Sequence, residues 1–225
     1  MIDDLLNKRL CMDGLELIEK IDADSVSCCF LDPQYRGILE KLSYGNEGAR
    51  QKGRALLEQM SEELIVEFLK STTNVLIPSG YLFLWVDKFI LCEGSHTNWF
   101  KEVNREKETM FLVDMITWDK QSFGMGYRSR KTSEYLLIYQ KFPKGIKSWK
   151  NKSIRDVWPE KIEHPRIGHP HKKPYRLTRT LIESVTSDGD LVLDPCAGSF
   201  VTLDACLATG RNFIGCDIEP TFCEE

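Results

Sequence analysis

The sequence predicts an α/β fold, a mostly parallel sheet with helices on both faces. Three observations predict it. Apolar runs of strand length alternate with runs of helical apolar spacing along nearly the whole chain. One of them, SVSCCFL at 25–31, is the uninterrupted apolar kind of a strand buried on both faces. The 225 residues suit one large α/β domain, and no repeat, low-complexity tract or interdomain linker divides them.

Each element follows in order. RLCMD (9–13) is a short strand ending on Asp13, and GLELIEKI (14–21) an amphipathic helix. After the strand 25–31, residues 36–60 are polar and punctuated by glycine, which reads as a mobile loop with a helical stretch near its end. SEELIVEFLKSTTNVL (61–76) has a Ser N-cap, Glu63 soon after, and helical spacing. GYLFLWVD (80–87) is a strand and HTNWFKEVNREK (96–107) a helix. FLVDMITWDK (111–120) and EYLLIYQK (134–141) are strands. Residues 141–168 hold Pro and Gly with little periodicity and read as a long basic connection. YRLTRTLIESVTS (175–187) is a helix, DLVLD (190–194) a strand, SFVTLDACLATG (199–210) a helix and NFIGCD (212–217) a strand.

Composition excludes several classes. The net charge of −4 does not suggest a polyanion-binding protein, but the average hides a local excess. Residues 141–180 carry 12 Lys and Arg against three acids, Asp156, Glu160 and Glu163. Such a stretch on an acidic chain fits one face touching nucleic acid, and equally a solvated loop. The eight cysteines show no CxxC spacing and mostly sit in apolar runs, as reduced core thiols of a cytosolic protein do. His164, His169 and His171 cluster without a Cys or carboxylate at ligand spacing, so no metal site is expected. MIDDLLNKRL is acidic and amphipathic, unlike a signal peptide, and no run approaches a membrane span.

Two turns carry chemistry. FLDPQYRG (30–37) places Asp32, Pro33, Gln34 and Tyr35 directly after a buried strand, where α/β sheets bind ligands. Asp-Pro is also ordinary turn chemistry. LVLDPCAGSF (191–200) is strand, small-residue turn, then helix, and Ala197, Gly198 and Ser199 leave room at a helix start. Asp217 ends the next strand, where dinucleotide folds hold a ribose. The G-x-G-x-x-G spacing is missing, which argues against NAD and FAD. Asp194 would repel phosphates but suits a cofactor with an amino group or positive charge, which points to S-adenosylmethionine. A tight strand-to-helix connection explains the same turn. Lys173 in HPHKKP (169–174) could neutralise such a cofactor's carboxylate, or simply be solvated at a Pro-initiated helix.

Together these segments resemble the S-adenosylmethionine-dependent DNA amino-methyltransferases of the permuted, β-class arrangement, N6-adenine or N4-cytosine type. LDPQY looks like the catalytic motif (D/N/S)PP(Y/F/W), and DPCAGSF like the cofactor motif D-P-F-x-G-S-G. FIGCDIEP is similar to the segment with the ribose-binding acid, HPHKKP to HPxxKP, and CMDGLELI to the stretch whose acid faces the adenine. SGYLFLWVDKF and SEYLLIYQK resemble the strands between. The match runs from about residue 9 to 220, and the order of the segments is its specific part. Gln34 replaces the motif's second Pro, and Phe200 the last Gly of the cofactor turn.

The resemblance implies a Rossmann-like methyltransferase fold with a mostly parallel seven-stranded sheet and circularly permuted motif order. It implies methyl transfer to the exocyclic amine of a flipped base in double-stranded DNA, adenine N6 first and cytosine N4 as the alternative. Asp32, Pro33 and Tyr35 would be catalytic. Asp13, His171, Lys173, Pro174, Asp194, Pro195, Ala197, Gly198, Ser199, Phe200 and Asp217 would bind the cofactor, with Phe200 stacking on it or packing under the helix. Arg36, Arg50 and Lys52 on the loop 36–60, and Lys147, Lys150 and Lys152 in a short basic recognition insertion at 141–168, would contact DNA. Trp149 and Trp158 would wedge into the stack or pack in the core. A homodimer, a cognate restriction endonuclease and a bacterial or phage cytoplasmic setting go with the resemblance. Gln34 and Phe200 motivate a rival, a degenerate subunit that binds DNA or a partner without catalysis.

Overall fold

β2 (Val26–Leu31) is buried at every position because it lies mid-sheet with helices over both faces. The computed structural model describes residues 2–34, 60–124, 128–162 and 172–223. Among them, β1 (Leu10–Cys11), β2, β3 (Leu76–Val86), β4 (Met110–Asp119), β5 (Ser133–Lys141), β6 (Val157–Pro159), β7 (Leu191–Asp194) and β8 (Asn212–Asp217) form one sheet. Its order is β1-β8-β7-β2-β3-β5-β4-β6. The sheet therefore has 8 strands, not seven. The extra one, β6, lies inside the stretch read as irregular. Three residues ending in Pro show no period, and only the register with Thr117–Asp119 makes them a strand.

Only β5 runs against its neighbours; every other pairing is parallel. Strand alternation divides the core in two. Val26, Cys29, Leu31, Leu82, Leu84 and Leu137 face α1 (Gly14–Ile18), α2 (Glu62–Val75) and α4 (Ser95–Val103). Cys28, Phe30, Phe83, Trp85, Leu136 and Ile138 face α5 (Tyr175–Val185) and α6 (Val201–Leu207). The short helices α3 (Lys88–Glu93) and α7 (Pro220–Cys223) complete the set. Cys28, Cys29, Cys206 and Cys216 are buried free thiols, whereas Cys11 and Cys92 are exposed.

Local chemistry fixes the helix starts. Ser61 Oγ accepts from Leu64 N at 3.2 Å, with Glu62 and Glu63 in the positive first turn of α2. Pro174 gives α5 no side-chain cap. Glu160, just past β6, supplies it: Oε1 accepts from Arg176 N at 2.8 Å and Oε2 from Leu177 N at 3.0 Å. Trp158 Nε1 donates to the same carboxylate at 2.7 Å, and Trp118 Nε1 to the Glu160 carbonyl at 2.7 Å. Glu160 thus ties the ends of β4 and β6 to the start of α5, and so fixes where Lys173, two residues before that helix, enters the site.

Candidate active site

With β5 alone reversed, the carboxyl ends of seven strands and the start of β5 share one edge. Each strand brings an acid to it. In sheet order they are Asp13, Asp217, Asp194, Asp32, Asp87, Glu134, Asp119 and Glu160. Most serve backbone donors. Asp13 Oδ1 accepts from Leu15 N and Glu16 N and so caps α1. Asp87 caps α3 in the same way, and Asp119 Oδ1 accepts from Gln121 N.

The β1-β8-β7 end forms the cradle. Asp217 Oδ2 accepts from Gly198 N at 2.8 Å, and Oδ1 from Glu219 N at 2.9 Å. Ala197 N donates to the Cys216 carbonyl at 2.9 Å, and Gly198 sits at φ 50°. A Cβ on Gly14 would lie 2.5 Å from the Pro195 carbonyl oxygen, so only glycine lets α1 press Asp13 against this turn. Ala197, Gly198 and Ser199 are half-buried, and Pro195 is buried. Asp194 is buried with Oδ2 accepting from the Thr202 hydroxyl at 2.6 Å. Burial pushes its pKa up to about 7, partly offset by Thr202.

Asp13, Asp194, Pro195, Ala197, Gly198, Ser199 and Asp217 are thus brought together. The side chain of Phe200 is not with them. Its ring is fully buried against Phe213, with centroids 6.2 Å apart, so the expectation that it stacks on a cofactor gives way to core packing. Its backbone keeps a left-handed φ of 54°, a conformation in which glycine is easier by about 1–2 kcal/mol.

The β2-β3-β5-β4 end holds a row of charges. Lys173 Nζ lies 2.8 Å from Asp32 Oδ2 and 3.0 Å from Glu134 Oε2. Lys120 Nζ pairs with Glu134 Oε1. Lys173 sits over the Trp85 ring at 4.8 Å and Lys120 over Trp118 at 5.0 Å. Burial disfavours the Lys173 charge, but Asp32 and Glu134 outweigh it and hold its pKa above the usual lysine range. Burial likewise pushes Glu134 up, but Lys173 and Lys120 override it and keep it well below the usual carboxylate range. Burial lowers the pKa of Lys120, with Glu134 offsetting part of the shift. Lys173 is expected from its motif to meet a cofactor carboxylate; among the described residues its partners are Asp32 and Glu134. Pro174 is buried and its carbonyl accepts from Thr178 N.

The Gln34 carbonyl accepts from Met60 N at 2.8 Å, fastening the chain just past Asp32 to the approach of α2. Tyr35, Arg36, Arg50, Lys52 and His171 lie outside the described residues. Lys147, Lys150 and Lys152 are described, but not beside Asp32. β5 carries the chain to the opposite edge, so residues 142–153 begin there. Lys150 Nζ bonds the Thr186 carbonyl at 2.5 Å and Ser187 Oγ at 3.0 Å, beyond the end of α5. Trp149 packs edge-on to Tyr81, with centroids 5.6 Å apart, and Trp158 is held by Glu160.

The antiparallel β5 brings a different basic element to the acid edge, the β4–β5 hairpin. Lys120 N donates to the Thr132 carbonyl and Gly124 N to the Lys131 carbonyl, each at 2.9 Å. Phe123 is 87% exposed, with Arg128 and Arg130 also exposed. Lys88 Nζ reaches Ser129 Oγ at 3.3 Å. Glu134, Lys120 and this hairpin escaped sequence reasoning. The available signal was a basic, Gly-containing link between two strands too close in sequence for a crossover helix.

The DNA methylase family N6_N4_Mtase matches residues 26–225. The type II methyltransferase M.HhaII of Haemophilus parahaemolyticus is 47% identical over 215 residues, covering 95% of this chain and 91% of that protein. The DNA adenine methyltransferase YhdJ of Escherichia coli K12 is 25% identical, over 93% of this chain and 78% of its own. Among solved structures, the cytosine-N4-specific PvuII DNA methyltransferase gives a TM-score of 0.66 at 17% identity, covering 94% of this chain and 82% of that one. The M1.HpyAVI–SAM complex gives 0.64 at 19% identity, over 96% and 97%. These structural likenesses establish the fold.

Proposed function

Because this chain belongs to the DNA methylase family, we propose that it methylates the exocyclic amine of a flipped base in double-stranded DNA, adenine N6, with S-adenosylmethionine as donor. The observation that carries the reading is a neighbourhood. Asp32 and the cradle acid Asp194 end adjacent strands, β2 and β7, on the edge where all the acids gather.

The donor set fits the cofactor. Asp194 suits a cation or amino group, Asp217 and Asp13 suit hydroxyl and amine donors, and no phosphate fingerprint is present. When bound, S-adenosylmethionine supplies an electrophilic methyl group on a sulfonium. The chain's own part is to hold and aim the acceptor. An exocyclic amine is a poor nucleophile because its lone pair is delocalised into the ring. Asp32 and the Pro33 carbonyl accept from its two N–H groups, which draws the lone pair out of conjugation and points it at the cradle. Asp32 accepts or orients the proton released afterwards. Tyr35 stacks on the base, whose extrusion from the duplex costs a few kcal/mol. An aspartate at the first motif position favours adenine, and YhdJ is named an adenine enzyme.

The test is transfer of labelled methyl to unmethylated genomic DNA, with nucleoside digestion and mass spectrometry. Methyladenine is expected. Methylcytosine would keep the mechanism and overturn the base assignment; unlabelled DNA would overturn the function.

We assign the DNA face to the acid edge, through Arg128, Arg130 and Lys131 of the β4–β5 hairpin, with Phe123 as the exposed aromatic; Arg36, Arg50 and Lys52, outside the described residues, keep the DNA-contact role that the family resemblance implies. Arg128→Ser/Arg130→Ser is expected to weaken binding of any duplex and to lower the slope of log affinity against log salt by about 2. Lys147→Ser/Lys152→Ser, at the opposite edge, is expected to leave both unchanged. Fluorescence anisotropy across a salt series reads the difference. No helix among the described residues is long and apolar enough to cross a membrane, and action on bacterial DNA in the cytoplasm fits the reading.

A further inference from the structure

The site has more charge than base positioning requires. Asp32, Lys173, Glu134 and Lys120 alternate in sign across four adjacent strands, β2, β3, β5 and β4, over a floor of Trp85 and Trp118. The two tryptophans meet edge to face with centroids 6.0 Å apart, so the floor is fixed. With both lysines charged, the row sums to zero.

We propose that Glu134, braced by Lys120, is a positioning residue that shares Lys173 with Asp32 and cancels its excess charge during methyl transfer. The inference rests on the reading of Asp32 as the group that meets the base amine. As the methyl moves, the positive charge passes from the sulfonium, which becomes a neutral thioether, to the amine nitrogen, so the reacting pair carries one positive charge throughout. Lys173 bonded to Asp32 alone would put a second positive charge against it and would draw electron density from the oxygen acceptor that activates the amine. Shared at 2.8 Å and 3.0 Å between two carboxylates, Lys173 holds Asp32 oriented without dominating it. Glu134 has its own counter-charge in Lys120, so it does not pull Lys173 away. The effect depends on low local dielectric; the Lys173, Glu134 and Lys120 side chains are 19%, 14% and 11% exposed.

A charge cycle tests it, using Glu134→Gln, Lys120→Met, the double variant and Glu134→Asp. Single-turnover methyl transfer is measured at saturating DNA and cofactor, well below each variant's melting temperature. Cofactor affinity is measured by calorimetry without DNA. Glu134→Gln leaves a net positive row. It is expected to slow transfer by about 10–100-fold with little change in KM for DNA, and to weaken cofactor binding about 3–10-fold. The double variant is neutral again and is expected to recover most of both losses. Glu134→Asp is expected to keep more activity than Glu134→Gln. A double variant slower than Glu134→Gln, or a Glu134→Gln rate within about twofold of wild type, would overturn the proposal. Asp32→Ala separates the two failures. If wild type is active, Asp32→Ala is dead and Glu134→Gln is normal, only this inference falls. If wild type transfers no methyl, the functional reading falls and takes this one with it.

Discussion

Asp32→Ala is expected to reduce methyl transfer by about 10³-fold or more while leaving a folded protein that still binds the cofactor. The size follows from what is lost. The amine's lone pair is localised only if an acceptor takes one of its protons, and alanine offers none. The Pro33 carbonyl can hold the other N–H but supplies no charge. The fold tolerates the change because Lys173 retains Glu134 at 3.0 Å, so the buried ammonium is not left alone. The check is a labelled transfer assay beside calorimetry with S-adenosylmethionine. A variant that binds cofactor and still methylates at more than a tenth of the wild-type rate would remove Asp32 from the mechanism.

Asp194→Asn is expected to stabilise the ligand-free protein above neutral pH and to cripple cofactor binding. Burial raises the Asp194 pKa from 3.8 to about 7 in the folded state. A carboxyl group raised in this way favours folding while it is protonated. Its contribution is complete below about pH 4, declines as pH rises, and is gone once pH passes about 7. The whole displacement is worth on the order of 4 kcal/mol. Asparagine keeps the shape, can still meet the Thr202 hydroxyl, and never ionises. Thermal melts at pH 5 and pH 8 should show the variant's gain on wild type growing with pH and largest at pH 8. Cofactor affinity has the opposite sign. A cation or amino group binds the ionised carboxylate, so wild-type affinity should climb through about pH 7, whereas the variant's should be weaker and flat. Equal pH dependence in the two proteins would separate Asp194 from the cofactor.

The sequence made the strands and cradle legible because their signals are local. Buried strands read as apolar runs, and acids sit at their ends within a few residues of a tight turn. The ordered segments set Asp32, Asp194 and Asp217 at the carboxyl ends of strands, and so on one edge. What escaped was set by direction and register rather than by composition. β6 is a strand only because Thr117–Asp119 lies beside it. That Lys147, Lys150 and Lys152 lie on the edge away from Asp32 was also hidden, because charge counting cannot say which edge a loop occupies. The ion pairs of Lys173 with Asp32 and Glu134 were invisible because both partners are far from it in sequence. Phe200 looked intrusive because a side chain replaced glycine, yet the backbone kept glycine's conformation and the ring turned inward.

The reversed strand has an evolutionary consequence. A strand-to-helix loop can change length at the ligand edge but cannot return the chain to that edge without a helix in between. The β4–β5 hairpin can, because it leaves that edge and returns to it, with Asp119 paired to Ser133 at its base. Residues inserted beyond that pair would alter what the loop touches and leave Glu134, Lys120 and Asp32 in register. Target choice and chemistry could then diversify as separate modules, one free to vary and the other anchored in the sheet.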